Sequence, residues 1–204
     1  MVLPRRSRDA RQAIELNGQP RRRLQKDFRP LPMSSAQRPT PECPSEEAVS
    51  LRPFRTDDLD VLHRIDQACF APGVSYSRQE LAAFIARPSS ETWLAIARDR
   101  VIGFLVAERA PQRAGHIITI DVAEHWRRRH VGTLLMDAAE EWARRQKLRF
   151  IYLEAAEDNL PAQAFYEKRG YVRIRQVARY YANGAAAWVM VKALSKSMVD
   201  NRQP

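Results

Sequence analysis

One stretch constrains the fold more than any other. Residues 118–135 run from an apolar, strand-like segment (Ile118 to Val122) through a basic loop into the start of a helix near Val131. Beyond it, Leu134, Leu135, Ala138, Ala139 and Trp142 recur as one apolar stripe, while Asp137, Glu140, Glu141, Arg144 and Arg145 are expected to face water. A helix N-terminus offers unpaired N–H groups and the positive end of a dipole, which suits a phosphate or pyrophosphate. Arg127, Arg128 and Arg129 add positive charge there. A solvated basic loop before an ordinary helix would show the same pattern, so the residues alone leave both readings open.

The flanking segments supply the architecture. Val49–Arg52 reads as a short strand. Thr56 is a good helix N-cap ahead of Leu59, Leu62, Ile65 and Cys69 at helical spacing, with Asp57 and Asp58 favouring the helix start. Pro72-Gly73 breaks the chain and Ser77 caps a second helix through Leu81, Phe84 and Ile85. Strands are expected at Thr92–Ala97, Val101–Glu108 and His116–Val122, the first two as a hairpin. After the helix from Val131, Phe150–Ala155 is a compact buried-type strand. Asp158 or Asn159 caps a short helix with Pro161 in its first turn and Gly170 after its end. Val172–Tyr181 and Ala185–Leu194 complete the pattern as strands around a tight Asn183-Gly184 turn. The order β-α-α-β-β-β-α-β-α-β-β implies an α/β (α+β) fold: a mixed sheet with helices on its faces, since each amphipathic helix must bury its stripe.

Charge separates this domain from what precedes it. The net charge is +10, and residues 1–40 hold ten Arg and Lys against three acids. The prolines at 30, 32, 39, 41 and 44 break any regular element there, apart from a short helix around 8–16. Residues 1–47 therefore read as a basic, disordered tail, residues 48–196 as the folded domain and 197–204 as a short C-terminal tail. The tail reads first as a solvated extension; the alternative is an arm making weak contact with RNA, the ribosome or an acidic surface, although Phe28 is its one stacking aromatic. No apolar run is long enough to span a bilayer, and the Arg-rich start lacks the apolar core of a secretory signal. Asp9, Glu15 and Asp27 count against a transit peptide. Cys43 and Cys69 sit in dissimilar contexts that disfavour a disulfide, which fits the cytoplasm. His63, His116 and His125 are scattered and suggest no metal site.

Two motifs carry a resemblance. Arg127 to Gly132 resembles the Arg/Gln-x-x-Gly-x-Gly/Ala acetyl-coenzyme A motif of the GNAT superfamily, with His130 where the family usually has its first glycine. Leu153-Glu154, Asn159, Tyr166 and Gly170-Tyr171 match the C-terminal motif without a gap. This second match is similar to the branch holding the bacterial ribosomal-protein-alanine N-acetyltransferase and related N-terminal acetyltransferases. Phe54, Ala68 to Phe70 and Arg179 to Tyr181 also sit where that branch has similar residues.

The resemblance implies a GNAT fold over about residues 49–194 and an acetyl-coenzyme A-dependent N-acetyltransferase acting in a direct ternary complex. The acceptor it implies is the N-terminal α-amine of a protein. The alternatives are a GNAT enzyme for a small amine or a lysine side chain, and a binding protein that kept the fold. Carried over residue by residue, it implies a cofactor site from Ile120, Asp121 and Val122 through their backbone, from Arg127, Arg128, Arg129, His130, Val131, Gly132 and Thr133, and from Asn159. Phe70, Tyr180 and Tyr181 would touch the substrate, and a monomer is expected. Glu154 is implied as the acceptor of the amine proton, and Tyr166 as the phenol that protonates the leaving thiolate. As bare residues, Glu154 suits equally a strand-end carboxylate paired with an arginine, and Tyr166 an aromatic packed under a sheet. Trp126, Trp142 and Trp188 read as packing residues.

Overall fold

A computed structural model describes residues 48–194. The reading of residues 1–47 as a tail, Cys43 within it, and that of 197–204 lie outside the described residues.

The strands are β1 (Ser50–Pro53), β2 (Ser90–Ala97), β3 (Arg100–Ala110), β4 (Ala114–Val122), β5 (Phe150–Ala156), β6 (Val172–Val177) and β7 (Ala187–Ala193). The helices are α1 (Leu59–Cys69), α2 (Arg78–Ile85), α3 (Val131–Arg145) and α4 (Leu160–Lys168). One seven-stranded sheet runs β1-β2-β3-β4-β5-β7-β6. Every pairing is antiparallel except β4 with β5. The parallel pair is joined through α3, as a crossover between parallel strands requires.

The helices cover both faces. Leu62 and Ile65 of α1 and Leu81 of α2 pack on Leu94, Phe104 and Val106. On the other face Val131, Leu135, Met136, Ala139, Trp142 and Ala143 of α3, with Tyr166 of α4, pack on Leu105, Ile117, Ile151 and Leu153. Ser77 caps α2 as expected: its Oγ accepts from Glu80 N–H at 3.2 Å, while Glu80 accepts from Ser77 N–H at 2.9 Å. Asn159 caps α4 by accepting from Ala162 N–H at 3.1 Å.

Three local expectations are corrected. Thr56 opens a 3-10 turn at Thr56–Asp58 rather than capping α1, and Asp58 accepts from Arg55 N–H at 2.7 Å. Asp58 also takes both terminal nitrogens of Arg52 at 2.7 Å, so it serves β1 and the turn together. Glu140 does not face water. It is 3% exposed, and Arg169 and Lys192 reach it from the end of α4 and from β7. The last two strands stop earlier than their propensity suggests, leaving residues 178–186 between them. This connection is drawn across to the α1–α2 loop: Ala182 N–H donates to Gly73 O at 3.0 Å. Gly73 has φ +82, and a Cβ there would meet Asn183 N at 2.9 Å, so glycine is needed for the approach.

Candidate active site

The site begins where β4 and β5 part. They pair only from Ala114↔Phe150 to His116↔Tyr152. Just beyond, Val106 pairs with Thr119 and Ala107 with Ile117, so Ile118 is an extra residue in β4. Such a bulge bends its strand and re-aims the side chains that follow. The remainder of β4 keeps its hydrogen bonds to β3, while its other edge and that of β5 open a gap.

Two cavities fill this gap. The larger, about 700 Å³, runs toward the start of α3. Its wall includes Ile120, Val122, Arg127, Arg128, His130, Gly132, Thr133 and Lys168. The smaller, about 120 Å³, lies toward the 178–186 connection, with Tyr76, Glu154, Tyr180 and Tyr181 in its wall. Phe70, Ile120, Asn159, Ala162 and Tyr166 line both, so the two meet there.

The loop before α3 is built for close backbone approach. Arg128 and His130 both have φ +61, and Arg127 Nε donates to Val122 O at 3.1 Å, tying the loop back to β4. Curled backbone of this kind, ending at a helix N-terminus, directs N–H groups into one concavity. The left-handed backbone at residue 130 accounts for a glycine there in the family motif, and in this chain a histidine bears the conformation. Gly132 faces the cavity: a Cβ there would meet Phe165 at 3.6 Å and Val122 at 4.0 Å, which is ordinary contact. These cations and N–H groups, beside an open strand edge, fit a pyrophosphate on an extended amide-bearing arm, as in acetyl-coenzyme A.

The implied residues do not all lie in the cavity walls. Val131 is 2% exposed and belongs to the core, Arg129 lies over the Trp126 ring at 5.3 Å, and the Asp121 side chain is 1% exposed. Asp121 accepts from Thr119 Oγ1 at 2.9 Å. Burial, with the nearby Asp66 charge, pushes its carboxyl well above the usual carboxylate range. In the wall, Tyr166 is 8% exposed. Burial, reinforced by the Asp121 charge, raises its phenol above the ordinary tyrosine value, so it stays protonated across the neutral range.

Glu154 pairs with a histidine, not an arginine. Its Oε2 lies 2.8 Å from His116 Nε2, and its Oε1 is buried without a hydrogen-bond partner. Burial works against a charged imidazole, but the carboxylates of Glu154 and Glu108 outweigh it and raise His116 to about 9. No local pattern in the sequence marks His116, because Glu154 is 38 residues away in the chain. The available signal is a histidine in a mostly apolar strand, beside Thr119 and Asp121. Lys168 and Tyr76, also in the cavity walls, carried no motif signal. Among the described residues, no group of three or more metal-ligating side chains is gathered, and no helix is long and apolar enough to cross a membrane.

Comparison with known proteins agrees with this geometry. An N-alpha-acetyltransferase of Saccharolobus solfataricus is 29% identical over 155 residues, spanning 71% of this chain and 93% of the relative. The crystal structure of Ard1 from Thermoplasma volcanium superposes with a TM-score of 0.67 at 26% identity, covering 73% of this chain and 99% of that one. The ribosomal-protein-S18-alanine N-acetyltransferase from Escherichia coli has the same fold, with a TM-score of 0.66 at 18% identity over 75% of this chain and 98% of its own. The acetyltransferase (GNAT) family model matches residues 59–171, which take in α1, the parting strands, the curled loop and the helix bearing Tyr166. The chain belongs to the acetyltransferase (GNAT) family.

Proposed function

We propose that this chain transfers acetyl from acetyl-coenzyme A to the N-terminal α-amine of a protein, in the cytoplasm. The observation that carries the proposal is the meeting of two unlike cavities at Tyr166. The larger carries the cationic side chains; the smaller is tyrosine-rich, with Glu154 in its wall. A two-substrate transfer needs such a junction, with a proton donor and a proton acceptor on either side of it. The relatives named N-alpha-acetyltransferase support the choice of acceptor.

Arg127, Arg128 and Lys168 would hold the cofactor's phosphates, together with the curled backbone at His130 and the N–H groups at the start of α3. The open edge of Ile120 to Val122 would pair with its amides, and Asn159, whose Oδ1 is engaged in capping α4, keeps its NH₂ for the same arm. The bound cofactor supplies an acetyl group activated as a thioester. An α-amine has a pKa of roughly 7.7–8.0, so a modest base suffices to free its lone pair. Glu154 Oε1 is the acceptor for that proton, and the Tyr166 phenol holds a proton ready where the two cavities join. Tyr180 and Tyr181 flank the entering peptide.

The test is turnover of acetyl-coenzyme A against a panel of peptides differing at the first residue, with mass mapping of the acetylated atom. Acetylation of the α-nitrogen is the expected result. Acetylation confined to lysine Nζ or to small amines would refute the assignment. Tyr166→Phe should fold, bind cofactor and lose about 100- to 10,000-fold in kcat.

A further inference from the structure

The proton acceptor proposed above is part of a longer array. Behind Glu154, the chain places His116 on β4, Glu108 on β3 and Arg87 at the end of the α2 segment. Glu154 Oε2 lies 2.8 Å from His116 Nε2. His116 Nδ1 lies 3.7 Å from Glu108 Oε1, an ion-pair distance too long for a hydrogen bond. Glu108 Oε2 accepts from Arg87 at 2.7 Å. Charges therefore alternate from the cavity wall outward, and exposure increases along the same path. The side chains of Glu154, His116 and Glu108 are 5%, 8% and 13% exposed, and that of Arg87 is 34% exposed. The His116 ring is also stacked flat on Tyr152, with centroids 4.4 Å apart and planes 5° apart, so its orientation is fixed by packing.

Glu154 cannot turn both oxygens to the same partner in this array. Oε2 is committed to His116, and Oε1 is buried with no partner in the protein. A buried carboxylate oxygen left unmatched is destabilising, and a substrate donor would recover that cost. We propose that His116 is a positioning residue: as an imidazolium held between Glu154 and Glu108, it clamps one oxygen of Glu154 and so presents the other to the acceptor amine. This rests on the reading of Glu154 as the proton acceptor. It assigns to His116 a role that acts only through Glu154.

The imidazolium is the form the clamp requires. Two carboxylates flank the ring, and only with protons on both nitrogens does it face each of them with a donor. Neutral His116 would turn a lone pair toward one of them. The groups that set this charge are Glu154 from β5 and Glu108 from β3, with Arg87 behind Glu108 and the uncharged Tyr152 ring stacked alongside.

The experiment crosses His116→Gln and Glu154→Gln, with kcat measured at saturating acetyl-coenzyme A and saturating N-terminal peptide from pH 6 to 10. Melting curves establish that each variant is folded. His116→Gln alone should lower kcat about tenfold or more, because misplacing a reacting group by about 1 Å costs on the order of 100-fold. The KM for acetyl-coenzyme A should stay within about twofold, since His116 lies outside the larger cavity wall. In the Glu154→Gln background the same substitution should have no further effect. Wild-type kcat should decline above about pH 9, where His116 loses its proton, and the variant should lack that decline.

If the two losses multiply, His116 acts independently of Glu154 and the proposal is overturned, while Glu154 keeps its role. If Glu154→Gln alone retains full kcat, the proton-acceptor reading fails and this proposal fails with it. Glu108→Gln is the second variant, for use whether or not His116→Gln folds. It weakens the clamp without touching Glu154 and should give a smaller loss that again vanishes in the Glu154→Gln background. A Glu108→Gln loss that persists there overturns the proposal as well.

Discussion

Replacing Glu140 by glutamine should destabilise this domain far more than the same change one residue later. Glu140 is 3% exposed on α3. Its Oε1 accepts from Arg169 at 3.0 and 3.2 Å, and its Oε2 takes Lys192 Nζ at 2.5 Å, with Arg144 at 3.5 Å. One carboxylate thus joins α3 to the end of α4 and to β7. Glutamine keeps the shape and one acceptor oxygen but removes the charge these cations share. Breaking a buried pair from one side costs about 3–5 kcal/mol. Here Arg169 keeps Asp137 at 2.5 Å, and the side chains of Arg169 and Lys192 are 12% and 21% exposed, so water and Asp137 take up part of the loss. The lower end, about 3 kcal/mol, is the expected cost. At about 2–4 °C per kcal/mol this lowers Tm by about 6–12 °C. Glu141 is the internal control. It is 54% exposed, pairs with Arg144 and Arg145 at 3.5 and 3.8 Å, and its replacement should cost no more than about 0.5 kcal/mol. Urea unfolding followed by tryptophan fluorescence measures both, since Trp142 is buried on the same helix. Equal midpoints for Glu140→Gln and Glu141→Gln would refute the reasoning, because burial would then count for nothing in this network.

Further outcomes follow from the cleft. Gly132→Ala should fold at least as well as wild type, gaining up to about 1 kcal/mol of helix propensity, whereas Gly132→Trp should weaken acetyl-coenzyme A at least tenfold, about 1.4 kcal/mol; unchanged affinity in a calorimetric titration of Gly132→Trp would remove the cofactor from this cavity. His130→Gly relieves left-handed strain of about 1–2 kcal/mol, offset in part by the freedom glycine adds to the unfolded chain, so stability and cofactor affinity should hold or rise. A large loss of affinity in the same titration would make the imidazole itself a ligand. Asp121→Asn should stabilise the domain with a defined pH dependence. The folded carboxyl resists ionisation while the unfolded one ionises near pH 3.9, so wild type loses stability relative to the variant as pH rises above about 4. A gap between their urea midpoints that stays constant from pH 4 to 8 would contradict this.

What the sequence showed and what it hid divide along chain separation. The caps of α2 and α4 were legible because donor and acceptor sit three residues apart: Ser77 with Glu80, and Asn159 with Ala162. Element order was legible because periodicity is local. The charge of Glu140 suggests the wet face, since its partners stand 29 and 52 residues away. His116 carries no local signal for the same reason, with Glu154 38 residues distant. The Asn183-Gly184 pair did signal a turn, but the long strands drawn around it ignored Gly73, which pulls the connection away from the sheet. Strand propensity says which residues can extend; it does not say where pairing ends.

The same limit applies to the cleft itself. β4 and β5 each read as an ordinary strand, and nothing in the alternation of either announces that they separate after His116 and Tyr152. The separation depends on an extra residue, Ile118, whose presence shows only once β4 is laid against β3. Both cavities follow from that parting, and so does the exposure of Ile120 and Glu154 to them. The motif residues Arg127 to Gly132, Glu154, Asn159 and Tyr166 could therefore be placed near one another only by resemblance, because the element that brings them together leaves no periodic trace. His116 belongs to no motif. It sits on the last paired rung before the strands part, where a side chain can reach across from β4 to hold a carboxylate of β5 beside the opening. A polar residue at such a rung has a geometric reason to be there that composition and spacing cannot express.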